Sequence, residues 1–191
     1  MKPVLPAERD ALAVRLRAIV RASPRFMAWL RAARDCCPPD WAIGAGALRN
    51  LVWDHLTGRS NPAADVDVVF FRGAAEEDVE ACLRARMPAV PWQARDQALV
   101  HTWYERVFGY AVESLTSLED AVATWPEFCT SVAVRLLPDD RLNVIAPHGL
   151  EDLFGLVLRR NPRRVTAEIF TRRLASKRIE ERWPGVTICR D

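Results

Sequence analysis

Trp41-Ala42-Ile43-Gly44-Ala45-Gly46-Ala47-Leu48-Arg49-Asn50, followed further on by Asp65-Val66-Asp67-Val68-Val69-Phe70-Phe71, is the stretch that decides the reading of this chain. Trp41 to Gly44 is a short apolar run that stops at glycine, which predicts a buried strand. Ala47 to Leu56 places Leu48, Leu51, Val52 and Leu56 on one helical face, and Gly58-Arg59-Ser60-Asn61-Pro62 closes it as a loop. Asp65 to Phe71 is strongly β-prone. Its period of two sets Val66, Val68 and Phe70 on one face and Asp65, Asp67, Val69 and Phe71 on the other. Residues two apart on a strand lie about 6.6 Å apart between Cα atoms, so the two Asp carboxylates can converge on one ion. Mg²⁺ suits such a pair, because it takes one or two carboxylates and leaves positions for water and phosphate. Taken alone, Asp-x-Asp favours an ordinary strand whose polar face meets solvent. The Gly44-Ala45-Gly46 turn shifts the balance, since glycine lets backbone approach phosphate and the following helix offers free N–H groups to an anion.

Working outward, Leu12, Leu16, Ile19 and Val20 predict a helix over 7–22, and Pro24 behind Ser23 opens a second that ends near Cys36. An acidic helix over 74–86, a strand over 90–95 and a helix over 97–107 follow the Asp strand. Residues 109–125 are ambiguous. Segments 130–137 and 141–146 flank Pro138-Asp139-Asp140 as a β-hairpin, and 149–159 and 164–182 read as two closing helices before Trp183-Pro184-Gly185. At 191 residues the chain suits one domain: N-terminal helices over 1–36, core sheet and helices over 41–146, and C-terminal helices over 149–183.

Half the residues are hydrophobic and 27% are charged, the balance of a folded globular chain rather than a disordered one. The opening MKPVLPAERD has no apolar h-region and no apolar stretch reaches a membrane span, so the expected location is cytoplasmic. Cys36, Cys37, Cys82, Cys129 and Cys189 fall in no zinc-type spacing and are expected as free thiols. The net charge of +2 hides an asymmetry: residues 159–191 hold ten Lys/Arg against four Asp/Glu. That basic tail either meets phosphates or forms a solvated helix face.

The quoted stretch resembles a bacterial nucleotidyltransferase-like family formerly regarded as a domain of unknown function, within the nucleotidyltransferase (DNA polymerase beta-like) superfamily. The resemblance continues through Gln97-Ala98-Leu99-Val100-His101, Trp125-Pro126-Glu127 with Thr130, Ala146-Pro147-His148-Gly149-Leu150-Glu151-Asp152-Leu153 and Trp183-Pro184. It implies an α+β fold, a mixed β-sheet flanked by α-helices with further helices at both ends. It also implies that the Gly turn holds a triphosphate and that the Asp pair, with a third acid from a later strand, binds metal ions. Here Ala45 stands where the superfamily turn usually carries Gly or Ser, and the gap to Asp65 is longer than usual.

Expected metal ligands are therefore Asp65 and Asp67, with Mg²⁺ or Mn²⁺, and the expected nucleotide contacts are Gly44, Ala45, Gly46, Arg49 and Asn50. Arg49 grips phosphate or forms a salt bridge; Asn50 orients sugar or base, or decorates the helix surface. Asp96 either completes the catalytic carboxylates or caps the helix starting at Gln97. Glu113 is a weaker candidate. His101 serves as a base or as a hydrogen-bonded semi-buried histidine, and Trp125 borders a base pocket or packs in the core. Two functions are open: a Mg-dependent enzyme moving a nucleoside monophosphate from an NTP to an acceptor hydroxyl on a small molecule, RNA or protein, or a catalytically weak module binding nucleotide, RNA or protein.

Overall fold

The structure is a computed structural model that describes residues 6–190. Helix α1 (Pro6–Arg21) leads into α2 (Pro24–Cys36), where Ser23 Oγ accepts the Phe26 N–H at 3.2 Å and Pro24 fills the first turn. Strand β1 (Trp41–Gly44) runs directly into α3 (Ala45–Thr57), which ends on left-handed Gly58. Then come β2 (Val66–Phe70), α4 (Glu76–Arg86), β3 (Trp92–Asp96), α5 (Val100–Phe108), α6 (Leu118–Val122), β4 (Ala133–Leu136) and β5 (Leu142–Ile145). The five strands form one mixed sheet in the order β3-β2-β1-β4-β5, parallel between β2 and β3 and antiparallel elsewhere.

Strand alternation gives this sheet two unlike faces. Ile43, Val66, Val68, Phe70, Ala94 and Val134 are fully or almost fully buried in one large cluster with Leu16, Phe26, Leu30, Leu48 and Val52 from α1 to α3. The opposite face carries Ala42, Val69 and Ala133, packed against Leu118 and Val122 of α6 in a smaller cluster. Because α6 covers only part of that face, the remainder around Asp67 stays open.

The C-terminal third corrects the expected pair of long helices. Residues 149–159 form only one short helix, α7 (Glu151–Phe154), then β6 (Val157–Arg159). Leu156 sits at φ 54°, a left-handed turn that reverses the chain out of the helix. The predicted helix over 164–182 divides into α8 (Ala167–Lys177), capped by Thr166 Oγ1, and α9 (Ile179–Arg182), with Arg178 left-handed between them at φ 48°. After Trp183, β7 (Thr187–Cys189) pairs in parallel with β6.

The free-thiol expectation also fails for two cysteines. Cys36 at the end of α2 and Cys82 in α4 are joined by a disulfide with Cα atoms 5.7 Å apart, while Cys37, Cys129 and Cys189 are free. These helices pack side by side, a proximity that a separation of 46 residues does not reveal. Among the described residues no helix is long and apolar enough to cross a membrane.

Candidate active site

A cleft of about 310 Å³ opens on the uncovered sheet face. Its lining brings together Ala45, Gly46 and Arg49 at the head of α3, Asp65 immediately before β2, and Asp67 and Val69 on β2. Arg95 and Gln97, the segment Trp125 to Glu127, and Arg173 and Lys177 of α8 complete it. The turn and the Asp strand meet because β1 and β2 are adjacent and antiparallel, with Ile43 opposite Val68.

Glycine at position 44 is dictated by packing. A Cβ there would lie 2.6 Å from the Val132 carbonyl oxygen, 2.7 Å from the Trp125 ring and 2.8 Å from Ala133 Cβ. Ala45 follows at φ 51°, its N–H donating to Val132 O at 3.2 Å, so a non-glycine residue holds a left-handed conformation at the head of α3. At Gly46 a Cβ would meet nothing within 4 Å, leaving space beside the first turn of the helix.

Asp65 and Asp67 both line the cleft, and neither side chain has a hydrogen bond or ion pair among the described residues. Burial, and then the neighbouring Asp65, push the Asp67 carboxyl up to about 6, while Lys177, Arg95 and Arg173 pull it down. Two partly buried carboxylates without a protein partner fit a hard divalent cation. No third His, Cys, Asp or Glu among the described residues joins them in a metal-binding cluster.

Asp96 does not supply that third carboxylate. In the parallel register Asp67 lies beside Gln93 and Val69 beside Arg95, whereas Asp96 lies beside Phe70 on the helix-packed face. Its Oδ1 accepts the N–H of Ala98 at 2.9 Å and of Arg72 at 3.0 Å, so it acts as a cap. Glu76 accepts the Asp96 N–H at 2.8 Å and holds Arg95 at 3.0 Å, which ties α4 to the cleft edge. Glu113 and His101 are exposed and line no part of the cleft.

The third acid lining the cleft is Glu127, buried and already engaged: it accepts Arg173 Nε at 2.9 Å and Thr130 Oγ1 at 2.7 Å. Arg49 is buried between two indoles, 4.9 Å from the Trp53 ring and 5.0 Å from the Trp183 ring. Its Nε donates to Asn50 Oδ1 at 3.0 Å, and its terminal nitrogens make no hydrogen bond among the described residues. Desolvation lowers its pKa, with Cys129 and Glu127 opposing. Asn50 thus orients Arg49 and lies outside the cleft lining. Trp125 packs against the cluster of Ala42, Val69, Leu118, Val122 and Ala133, lies beside Gly44, and lines the cleft.

Sequence reasoning passed over Arg95, Gln97, Glu127, Arg173 and Lys177 as cleft residues. A signal existed for two of them: Arg173 and Lys177 stand four apart on α8 and so share one helix face.

Strand β1 turns through Gly44 into α3 beside two cleft-lining carboxylates, Asp65 just before β2 and Asp67 on it, and this is the arrangement of a nucleotidyltransferase fold. Residues 31–188 match the family described as nucleotidyltransferase, and the chain belongs to that family. A solution NMR structure described as revealing a CCA-adding enzyme head domain is 30% identical, with a TM-score of 0.76 over 91% of this chain and 94% of that one. More distant likenesses concern the fold alone. They include an apo CCA-adding enzyme, 18% identical with a TM-score of 0.54, and an apo tRNA-processing enzyme, 17% identical with a TM-score of 0.50. This chain covers 90% and 100% of its own length in those two matches, but only 42% and 46% of theirs. No curated protein matches the sequence.

Proposed function

We propose that this chain transfers a nucleoside monophosphate from an NTP to an acceptor hydroxyl with the help of Mg²⁺ or Mn²⁺. The observation that carries the reading is the unpartnered Asp65/Asp67 pair, which shares one cleft with the Gly turn and with Arg49, Arg95, Arg173 and Lys177. The acceptor oxygen bonds to the α-phosphorus while the bond from that phosphorus to the β-bridging oxygen breaks. Pyrophosphate leaves, and the hydroxyl proton passes to water or a cleft carboxylate. A cation on Asp65 and Asp67 would neutralise phosphate charge and lower the cost of the oxyanion. Arg49, held rigid between Trp53 and Trp183, offers its free guanidinium nitrogens to a phosphate. Arg173 and Lys177 reach the same cleft from α8. Preorganised donors of this kind act by positioning and charge compensation.

The experiment is incubation with each α-³²P-labelled NTP, Mg²⁺ and a cell extract, followed by identification of the labelled molecule. Asp65→Asn and Asp67→Asn should each abolish labelling. Labelling that persists in both variants would refute the site.

A second reading, a binding module with weak or no catalysis, draws on one observation: Glu127, the only further acid lining the cleft among the described residues, is bound to Arg173 and Thr130. Under this reading Mg-NTP raises the melting temperature of the parent but no acceptor becomes labelled.

A further inference from the structure

Beside the cleft lies a second groove of about 420 Å³, formed by the loop after α3 and by the junction of α8 with α9. Its charged lining is Arg59, Lys177, Arg178 and Arg182 against one acid, Glu181. Lys177 lines both cavities, and the groove wall runs through Ala63 and Ala64 into Asp65 of the cleft. The two cavities are therefore neighbours along the chain and through a shared side chain.

The groove is built before any ligand arrives. Asp54 on α3 accepts the Asn61 backbone N–H and the Asn61 side-chain N–H, each at 2.7 Å, and the Trp183 Nε1–H at 2.8 Å. Arg182 lies over the Trp183 ring at 4.4 Å and donates to Pro62 O at 3.3 Å. One carboxylate and one indole thus hold the loop against α9. The cations on the rim are differently placed. Arg178 pairs with Glu181, but Arg59 and Lys177 have no side-chain hydrogen bond or ion pair among the described residues. Arg59 is exposed directly beyond left-handed Gly58. Unpartnered cations on an acid-poor surface attract phosphate, and several around one groove suit a chain of phosphates better than one.

We propose that this groove carries the backbone of a single-stranded nucleic acid whose terminal hydroxyl is the acceptor presented at Asp65 and Asp67. The assignment rests on the nucleotidyl-transfer reading of the cleft for the role of the end, and on the groove alone for the binding. A strand lying over Arg59, Arg178 and Lys177 contributes two or more phosphates outside the cleft, with its last sugar beside the carboxylate pair.

Fluorescence anisotropy with 5′-fluorescein decamers of RNA and DNA, at 50 to 200 mM KCl, tests this. Binding should weaken with salt at a slope of about −1.4 or steeper in log K against log [KCl], the value for two or more neutralised phosphates on a single strand. Arg59→Glu should weaken the decamers at least tenfold and flatten the slope by about 0.7, one phosphate's share. Arg59→Lys should stay within about threefold of the parent, since a phosphate contact requires charge rather than a fork. Arg59→Glu should leave the melting-temperature rise caused by Mg-NTP unchanged. Decamers that fail to bind, or that bind Arg59→Glu as well as the parent, overturn the inference even where the Mg-NTP shift is intact. A mononucleotide that competes as tightly as the decamer also overturns it, assigning the groove to a small phosphorylated acceptor. Loss of the Mg-NTP shift in the parent, with decamer binding retained, removes the nucleotidyl-transfer reading and leaves the groove as a nucleic-acid site.

Discussion

Replacing Asp67 by Asn should make the ligand-free protein more stable at pH 8 and leave it almost unchanged at pH 4. The Asp67 carboxyl is raised from 3.8 to about 6 in the folded chain, chiefly by burial and next by Asp65. Between those two values the folded state keeps a proton that the unfolded chain releases. The group's favourable contribution is thus complete below 3.8, declines as the pH rises, and is gone once the pH has passed 6. About two units at 1.36 kcal/mol each set an upper bound of about 3 kcal/mol, and residual solvent contact at Asp67 brings the expected gain at pH 8 nearer 2 kcal/mol. Asn keeps the shape and discards the charge, so urea denaturation should show this gain at pH 8 and less than about 0.5 kcal/mol at pH 4. Mg-NTP should reverse the ranking, because the parent gains binding energy that the variant cannot. An Asp67→Asn protein that is less stable than the parent at pH 8, or equally shifted at both pH values, would refute the claim that this carboxylate is held without a partner.

Four further perturbations bear on the turn, the cap and the disulfide. Gly44→Ala should cost about 2–3 kcal/mol in chemical denaturation, since the new Cβ would press on the backbone of β4 and the Trp125 ring. Gly46→Ala has open space and should stabilise the helix by about 0.5–1 kcal/mol while weakening the Mg-NTP thermal shift, if backbone there approaches phosphate. Asp96→Asn should change stability by less than about 0.5 kcal/mol and spare label transfer, whereas Asp96→Ala should cost about 1 kcal/mol through the lost cap, both read by thermal denaturation. Reducing the Cys36–Cys82 bond, or replacing both residues by Ser, should lower unfolding free energy by about 2–4 kcal/mol, measured with and without dithiothreitol.

The parts of the fold that could be read from residues alone are those in which local pattern and tertiary role coincide. β1, α3 and β2 carry their apolar period and their glycine stop within one short stretch, whereas the register of Ile43 opposite Val68 is set by tertiary pairing. Asp96 shows what local pattern lacks. The alternation Trp92, Ala94, Asp96 already places it on the apolar face of β3, but only the parallel register with β2 turns that into the wrong side of the sheet. β6 and β7 are three residues each, too short for a period, and exist because segments thirty residues apart pair. The break at Arg178 carries no Gly or Pro to announce it. Glu127 reads as an acid in a loop until Arg173, 46 residues later, closes on it.

Trp183 has a consequence for how the protein comes to be competent. It is fully buried against Trp53, it flanks Arg49, and it donates to Asp54, 129 positions earlier in the chain. Such contacts exist only where the C-terminal segment has returned to α3, so the surroundings of Arg49 depend on the far end of the described chain. Displacing Trp183 would leave β1, α3, β2 and the acidic pair in place, yet would take from Arg49 one of its two indoles and from Asp54 its Nε1–H donor. The cleft and the groove thus share one dependency, a single indole that flanks Arg49 on one side and on the other donates to the carboxylate that anchors Asn61.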